Sequence, residues 1–159
     1  GEFMTLGGII SPHDAWLIIR GLRTLEIRMD RVASSTAKVV AFLEQHPGVA
    51  KMYYPFSKSH PQHDLAVRDM KKGTGQFSIL LNAESLEKAD IFLDAMKRFL
   101  LACSWGGYES LAFPTCALYD SQNYGKTTLP WTLVRFYVGL EDPDVLIADL
   151  DQALNKMMS

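Results

Sequence analysis

Hydrophobic residues recur at helical spacing in the first third of the chain. From Leu25 onwards they form one stripe, which predicts a long helix that ends before Pro47. A shorter helix is expected to begin at Ser11, because serine can cap a helix and Pro12 is tolerated in a first turn. Gly21 should weaken this shorter helix before the long one begins. The buried stripe of the long helix should consist of Leu25, Met29, Val32, Thr36, Val40 and Leu43.

Two later segments carry the same helical pattern. Ser85 is a good capping residue for one of them, and Asp142 with Pro143 opens the last helix of the chain. A short helical stretch is also expected around residues 65–70. The inward-facing residues of the two longer helices should be Leu86, Ala89, Leu93 and Met96, and then Leu146, Leu150, Ala153, Leu154 and Met157.

Runs rich in β-branched and aromatic residues separate these helices. They predict strands at Val49–Tyr54, Gln76–Leu81, Phe99–Cys103 and Leu133–Val138. Strands separated by helices without strict alternation indicate an α+β fold, here a two-layer sandwich with helices on one face of a mixed sheet. Residues 115–130 are polar and rich in turn formers, so a mobile loop is expected there.

Composition limits the classes of partner. The 159 residues, with a mass of 17.8 kDa, suffice for one domain, for which area scaling predicts a folded surface of about 8,000 Å². The net charge of −2 offers no broad basic field, which argues against nucleic acid. No apolar run approaches the roughly 20 residues that span a bilayer. Cys103 and Cys116 are too few for a disulfide framework and are interpreted as free thiols in a reducing cytoplasm.

The first three residues do not look native. Gly1, Glu2 and Phe3 before Met4 are typical of residues left by a cloning site, so they are set aside in reasoning about the fold. Residues 4–159 are therefore predicted to form a single domain.

Arg135 lies in the middle of an apolar predicted strand. Its side chain points away from the face that carries Val134 and Phe136, because side chains alternate along a strand. An unpaired buried guanidinium is costly, so Arg135 needs a partner. One interpretation is a structural ion pair with Glu109 or Glu141. The other is a fork that binds the carboxylate of a ligand.

The segment from Ser104 to Leu111 reads SWGGYESL. Its adjacent glycines allow unusual backbone angles and the close approach of a ligand, although they also fit a tight connection between strands. Together with LVRFYVGLED at residues 133–142, it resembles two blocks in the C-terminal domain of the cysteine/methionine-metabolism enzymes that use pyridoxal phosphate (PLP), most closely bacterial cystathionine β-lyases. The resemblance runs from about Gly8 to the end of the chain.

This resemblance implies the small C-terminal domain of a fold-type I PLP enzyme. The larger domain that should precede it, with the lysine that binds PLP, has no counterpart in the sequence. We therefore expect no catalytic residue, no bound cofactor and no metal in this chain by itself. The whole protein is expected to be a cytoplasmic homo-oligomer in which the N-terminal PLP domain and a small amino-acid substrate are the partners of residues 4–159.

The resemblance also assigns roles to three residues. In the family, the arginine of this strand binds the α-carboxylate of the substrate, and Arg135 occupies its place. The residue at Ser104 helps to orient that carboxylate, and Trp105 matches an indole that lines the substrate pocket of bacterial β-lyases. Tyr137 departs from the pattern, where Ser or His is more familiar.

A carbon–sulfur lyase of sulfur amino-acid metabolism is the function that these matches imply. It would split cystathionine into homocysteine, pyruvate and ammonia. Two alternatives stay open: γ-elimination or γ-replacement within the same family, and a stand-alone module that binds carboxylates or drives oligomerisation.

Overall fold

The computed structural model of the chain describes residues 2–118 and 128–159. The α-helices in these ranges are α1 (Glu2–Thr5), α2 (Pro12–Leu22), α3 (Leu25–Leu43), α4 (His63–Asp69), α5 (Leu86–Ala95) and α6 (Pro143–Met158). The strands are β1 (Val49–Tyr53), β2 (Gln76–Leu81), β3 (Leu100–Leu101), β4 (Leu111–Pro114) and β5 (Leu133–Tyr137), and a 3₁₀ turn spans Thr115–Leu118.

The predicted capping residues begin three of these helices. Ser11, Ser85 and Asp142 each accept a hydrogen bond from a backbone N–H in the first turn of α2, α5 and α6, respectively. This bond satisfies one of the N–H groups that a helix start leaves without an internal partner. Thr24 precedes α3 as expected, but its side chain makes no such bond.

The five strands form one mixed sheet in the order β1-β2-β5-β4-β3. Strands β3 and β4 run parallel, and the other neighbouring strands are antiparallel. The predicted α+β fold is therefore confirmed. Because β5 is the middle strand, its residues have sheet neighbours on both sides.

One face of the sheet carries the hydrophobic core. Val134, Phe136 and Val138 are fully buried on this face of β5, as the alternation predicts. Phe136 stacks on Phe77 with ring centroids 5.3 Å apart and meets the edge of Phe99 at 5.2 Å. Buried side chains of α3, α5 and α6 complete the core, so these helices cover one face of the sheet, as predicted.

The other face of the sheet is only partly covered. Arg135 of β5 lies there, in register with Ser78 of β2 and Phe113 of β4, and Ser78 is in turn in register with Tyr53 of β1. All four side chains are partly or largely exposed. The uncovered face therefore has Arg135 near its middle.

Two strand predictions differ from the structure. The predicted strand Phe99–Cys103 shrinks to two residues, because the ladder ends at Ala102, whose N–H donates to the Ala112 carbonyl. Strand β4 was not predicted, since a short segment that ends in proline gives little local signal and forms a strand only by pairing with β5. The remainder of the predicted mobile loop, residues 119–127, lies outside the described residues.

Three residues of the predicted helical stripes are not in the core. Leu25 at the start of α3 is 40% exposed, and Met29 of α3 and Leu86 at the start of α5 are half-buried. The other predicted inward positions of α5 and α6 are buried. The first turn of each helix thus lies at the margin of the core.

The N-terminal part of the described chain exposes an unusual amount of apolar surface. Helix α2 has no buried residue, and Trp16, Ile18, Ile19 and Leu22 are each more than half exposed. The accessible surface of the chain is 10300 Å², against the 8,000 Å² or so expected from its mass. Despite its apolar composition, α2 is too short to cross a membrane, and no other described helix meets the requirement for a span.

The turn between α5 and β3 is organised by a buried carboxylate. Asp149 of α6 is only 5% exposed and accepts hydrogen bonds from the backbone N–H groups of Lys97 and Arg98, the shortest of them 2.7 Å. A longer contact of 3.4 Å reaches the N–H of Phe99. Asp149 therefore fixes the direction in which the chain enters β3.

Replacing this carboxylate should weaken the fold. Asp149→Ala leaves at least two backbone donors without their acceptor, and we expect the free energy of unfolding to fall by about 3 kcal/mol in urea denaturation. Asp144→Ala is the matched control, because Asp144 lies exposed in the first turn of the same helix and should lose no more than about 1 kcal/mol. Equal losses in the two variants would contradict the role assigned to Asp149.

Candidate functional site

Arg135 is held by the loop that follows β3. Its Nη2 atom donates to the carbonyl oxygen of Cys103 at 2.6 Å and to that of Ser104 at 3.3 Å. The guanidinium also lies over the ring of Phe113, with Cζ 5.3 Å from the ring centroid. These contacts bring two of the three residues singled out from the sequence, Arg135 and Ser104, into direct contact.

The structural ion pair considered for Arg135 is absent from the described residues. Neither Glu109 nor Glu141 lies within salt-bridge distance of its guanidinium. The Glu141 carboxylate instead accepts hydrogen bonds from the backbone N–H and the hydroxyl of Ser110, at 2.7 and 2.8 Å. Arg135 is thus oriented by neutral carbonyl groups, which do not cancel its charge.

Glu141 and Ser110 anchor the far end of the same loop. The Ser110 hydroxyl is fully buried and accepts a hydrogen bond from the N–H of Gly139 at 2.9 Å. The N–H of Leu140 donates to the carbonyl of Tyr108 at 2.8 Å. The residues just after β5 therefore bind the loop at its C-terminal end, while Arg135 binds it at its N-terminal end.

The middle of the loop requires glycine. Gly106 has a φ of +86°, a backbone conformation that side chains other than glycine rarely adopt. A Cβ atom on Gly107 would come within 2.4 Å of the Glu109 carboxylate. The Gly-Gly pair thus permits a sharp turn that was visible in the sequence. The backbone angle explains Gly106, while Gly107 leaves room for the Glu109 carboxylate.

Trp105 lies at the edge of a groove beside this loop. The groove has a volume of about 620 Å³ and lies between the first turns of α3 and the Trp105–Tyr108 segment. Trp105 is 62% exposed, and its indole shares the groove with Arg28 and Tyr137. The Ser104 hydroxyl is exposed and makes no hydrogen bond with a described residue.

Tyr137 closes the groove from below. Its hydroxyl donates to the Gly107 carbonyl at 3.2 Å. Burial raises the pKa of the Tyr137 phenol, and the carboxylates of Glu109 and Glu141 act in the same direction against the opposing charge of Arg28. The phenol is therefore protonated near neutral pH and can serve as the donor.

Comparison with known sequences shows the family of the chain. A profile of the family described as "Cys/Met metabolism PLP-dependent enzyme" matches residues 2–155. The chain belongs to this family. As the family description states, its members are PLP-dependent enzymes of cysteine and methionine metabolism.

Several curated proteins are similar to this chain over nearly its whole length. The cystathionine gamma-lyase of Macaca fascicularis is 43% identical over 154 residues, which are 94% of this chain and 38% of that protein. That of Bacillus subtilis is 37% identical over 155 residues, 95% of this chain and 40% of that protein. An L-alanine/L-glutamate racemase of Wolbachia pipientis wMel is 38% identical over 157 residues, 98% of this chain and 39% of that protein.

The chain spans about two fifths of the length of these relatives. Their names support a PLP-dependent enzyme of cysteine and methionine metabolism without singling out the β-lyases. The relatives named here are cystathionine gamma-lyases and a racemase, so the closer resemblance to β-lyases that Trp105 predicted is not confirmed.

The described residues of the groove do not fit PLP itself. The aldehyde of PLP needs a lysine amine, and no residue that lines the groove is a lysine. Arg28 is the one charged residue in the lining, and its guanidinium already donates to the Gly21 carbonyl and the Thr24 hydroxyl. The described residues also contain no cluster of His, Cys, Asp and Glu side chains suited to a metal ion.

Sequence reasoning missed part of this site. The bonds between Ser110 and Glu141, which determine where the loop ends, were not expected. Tyr137 was noted only as a departure from the family pattern. The available signal was its position two residues after Arg135, which places both side chains on the same face of β5.

Crowding at Gly139 gives a test of the loop geometry. A Cβ atom at this position would lie 2.2 Å from the Tyr108 carbonyl oxygen, so Gly139→Ala has to displace the loop. We expect a loss of about 1–3 kcal/mol in the free energy of unfolding, measured in urea. Gly21→Ala is the control, because no atom lies within 4 Å of its Cβ position inside α2 and alanine favours helices. A Gly139→Ala variant as stable as Gly21→Ala would show that the loop is not held in this place.

Proposed function

We propose that this chain is the C-terminal, substrate-binding domain of a PLP-dependent carbon–sulfur lyase, and that Arg135 binds the α-carboxylate of the amino-acid substrate. The observation that carries this proposal is the state of Arg135. Its guanidinium lies on the uncovered face of the sheet, is oriented by two backbone carbonyls and has no carboxylate partner among the described residues. Arg135 is therefore an oriented cation on a face of the sheet that a ligand can reach.

The contacts of Arg135 explain how it would bind a carboxylate. Nη2 is occupied by the carbonyls of Cys103 and Ser104, which fixes the plane of the guanidinium. Nε and Nη1 make no hydrogen bond to a described residue and are left to donate to a carboxylate, in directions that are set by the planar guanidinium and that the ammonium group of lysine does not reproduce. The exposed hydroxyl of Ser104 lies next to this position and can donate a further hydrogen bond.

Holding the carboxylate would orient the rest of the substrate. Fixed donors on the carboxylate restrict rotation about the bond to the α-carbon, and such positioning lowers the barrier of a following proton transfer. PLP, when bound in the whole enzyme, supplies the electron sink for chemistry at the α-carbon. In this proposal, residues outside this chain bind PLP, and this chain contributes the donors to the carboxylate and one wall of the pocket.

Trp105 favours β-elimination as the reaction type. Its indole lines the groove beside the loop. The support for this reaction type is the match of Trp105 to the indole that lines the substrate pocket of bacterial β-lyases. The proposed reaction converts cystathionine into homocysteine, pyruvate and ammonia. The exposed apolar side chains of α2 are consistent with packing against the larger PLP domain or a second subunit of a homo-oligomer. Cys103 and Cys116 are free thiols, which suits the cytoplasm.

The names of the relatives support two other reactions of the same site. The gamma-lyases favour cleavage of the other C–S bond of cystathionine, which releases 2-oxobutyrate and cysteine. The Wolbachia relative favours racemisation of an amino acid. All three reactions need the α-carboxylate to be held, so the assignment to Arg135 does not depend on which of them occurs.

Product analysis of the full-length enzyme separates these reactions. With L-cystathionine as substrate and PLP added, we expect pyruvate and homocysteine in equal amounts, measured by chromatography of the derivatised keto acids and thiols. Release of 2-oxobutyrate would assign the γ-lyase reaction instead. Conversion of L-alanine to D-alanine without keto acid would assign a racemase, and no reaction in any assay would favour a stand-alone binding module.

The role of Arg135 can be tested in the same enzyme. Arg135→Lys keeps the charge but loses the fixed donor directions of the guanidinium, so about 1.5–3 kcal/mol of binding should be lost. This corresponds to a decrease in kcat/KM of roughly ten- to more than a hundredfold. The melting temperature should hardly change. Arg68→Lys is the matched control, because Arg68 is exposed on α4 and pairs only with Asp69. If Arg135→Lys unfolds readily but keeps its kcat/KM, Arg135 is a structural residue.

A further inference from the structure

We propose that Tyr137 is a positioning residue of the carboxylate site, which acts on Arg135 through the loop that both residues bind. This inference rests on the proposed function of Arg135. Tyr137 and Arg135 are two residues apart on β5 and therefore project from the same face. Both donate hydrogen bonds to backbone carbonyls of one loop, Arg135 to Cys103 and Ser104 and Tyr137 to Gly107.

The loop is attached at four places, one of which is the bond from the Leu140 N–H to the Tyr108 carbonyl. Arg135 binds its start, and Ser110, through its bonds to Glu141 and Gly139, binds its end. Between these anchors, the Tyr137 hydroxyl makes the one hydrogen bond that a described side chain donates to residues 105–107. Without it, the middle of the loop has no described polar link to the sheet.

The position of the Tyr137 hydroxyl is fixed by packing. Tyr137 is only 8% exposed, and its register neighbours are Gln76 on β2 and Leu111 on β4. A Cβ atom on Gly75 would lie 2.8 Å from its Cε2 atom, so the ring lies directly against the backbone of Gly75. A ring held in this way cannot swing aside, and its hydroxyl stays beneath the Gly107 carbonyl.

The loop transmits this position to Arg135. Cys103 and Ser104, which orient the guanidinium, are four and three residues from Gly107 in the same short loop. If the hydroxyl is removed, the middle of the loop can rise, and the two carbonyls no longer hold the plane of the guanidinium. A shorter side chain at position 137 would not reach Gly107.

Substrate binding should therefore be more sensitive to Tyr137 than turnover is. In the full-length enzyme with L-cystathionine, we expect Tyr137→Phe to raise KM two- to tenfold, the size expected for one neutral hydrogen bond, while kcat changes less than twofold. The ring is retained, so the melting temperature should change little.

Tyr54→Phe is the matched control. Tyr54 is as buried as Tyr137 but lies in a different groove, between α3 and β1, and its hydroxyl makes no hydrogen bond to a described residue. Its KM should equal that of the parent enzyme.

The combination with Arg135→Lys decides how Tyr137 acts. If Tyr137 works through Arg135, the double variant should lose less kcat/KM than the product of the two single losses. If the two single losses multiply in the double variant, the proposal is overturned. It is also overturned if Tyr137→Phe has the same KM as the Tyr54→Phe control, or if a lower melting temperature is the only change in Tyr137→Phe. In each of these outcomes an impaired Arg135→Lys variant leaves the proposed function intact. If both Arg135→Lys and Tyr137→Phe behave like the parent enzyme, the proposed function itself fails.

Discussion

Strand β5 has to serve two environments at once, and the rest of the domain is arranged around that constraint. Helices cover only one face of the sheet, and side chains alternate along a strand, so each core residue sends its neighbour to the open face. Arg135 lies between Val134 and Phe136, both fully buried. Arg135 is placed on the open face because its two neighbours in the strand point into the core. The strand that anchors the hydrophobic packing is also the one that presents a cation on the open face.

The loop over β5 depends on this strand in turn, because the residues that bind the loop lie on β5, directly after it, or on a helix behind the sheet. Asp149 of α6 sets the direction of β3, from which the loop departs. Arg135 and Tyr137 hold the start and the middle of the loop, and Glu141 holds its end through Ser110. The geometry of the site is therefore a property of the folded domain, although most of the residues that form it are exposed.

How much of this could be predicted depends on the range of the interaction. Helix starts at Ser11, Ser85 and Asp142 are encoded by neighbouring residues and were predicted correctly. The buried face of β5 follows from alternation alone. Strand β4 depends on pairing with a distant segment, so its own sequence gave no sufficient signal. The bonds from Arg135 and Tyr137 to loop carbonyls have no sequence signature, because every residue has a carbonyl and only the fold decides which one is close.

Glu141 illustrates how the fold keeps the charge of Arg135 available. From the sequence, Glu141 was a reasonable ion-pair partner, and such a pair would neutralise the guanidinium. In the structure both carboxylate oxygens accept hydrogen bonds from Ser110, which stabilises a partly buried anion without the help of Arg135. The guanidinium is left with carbonyl dipoles and the face of Phe113, which orient it while its full charge persists. An incoming carboxylate would meet a cation whose plane is already fixed, so little conformational freedom has to be lost on binding. The binding of the Glu141 carboxylate to Ser110 is thus as much a part of the proposed site as Arg135 itself.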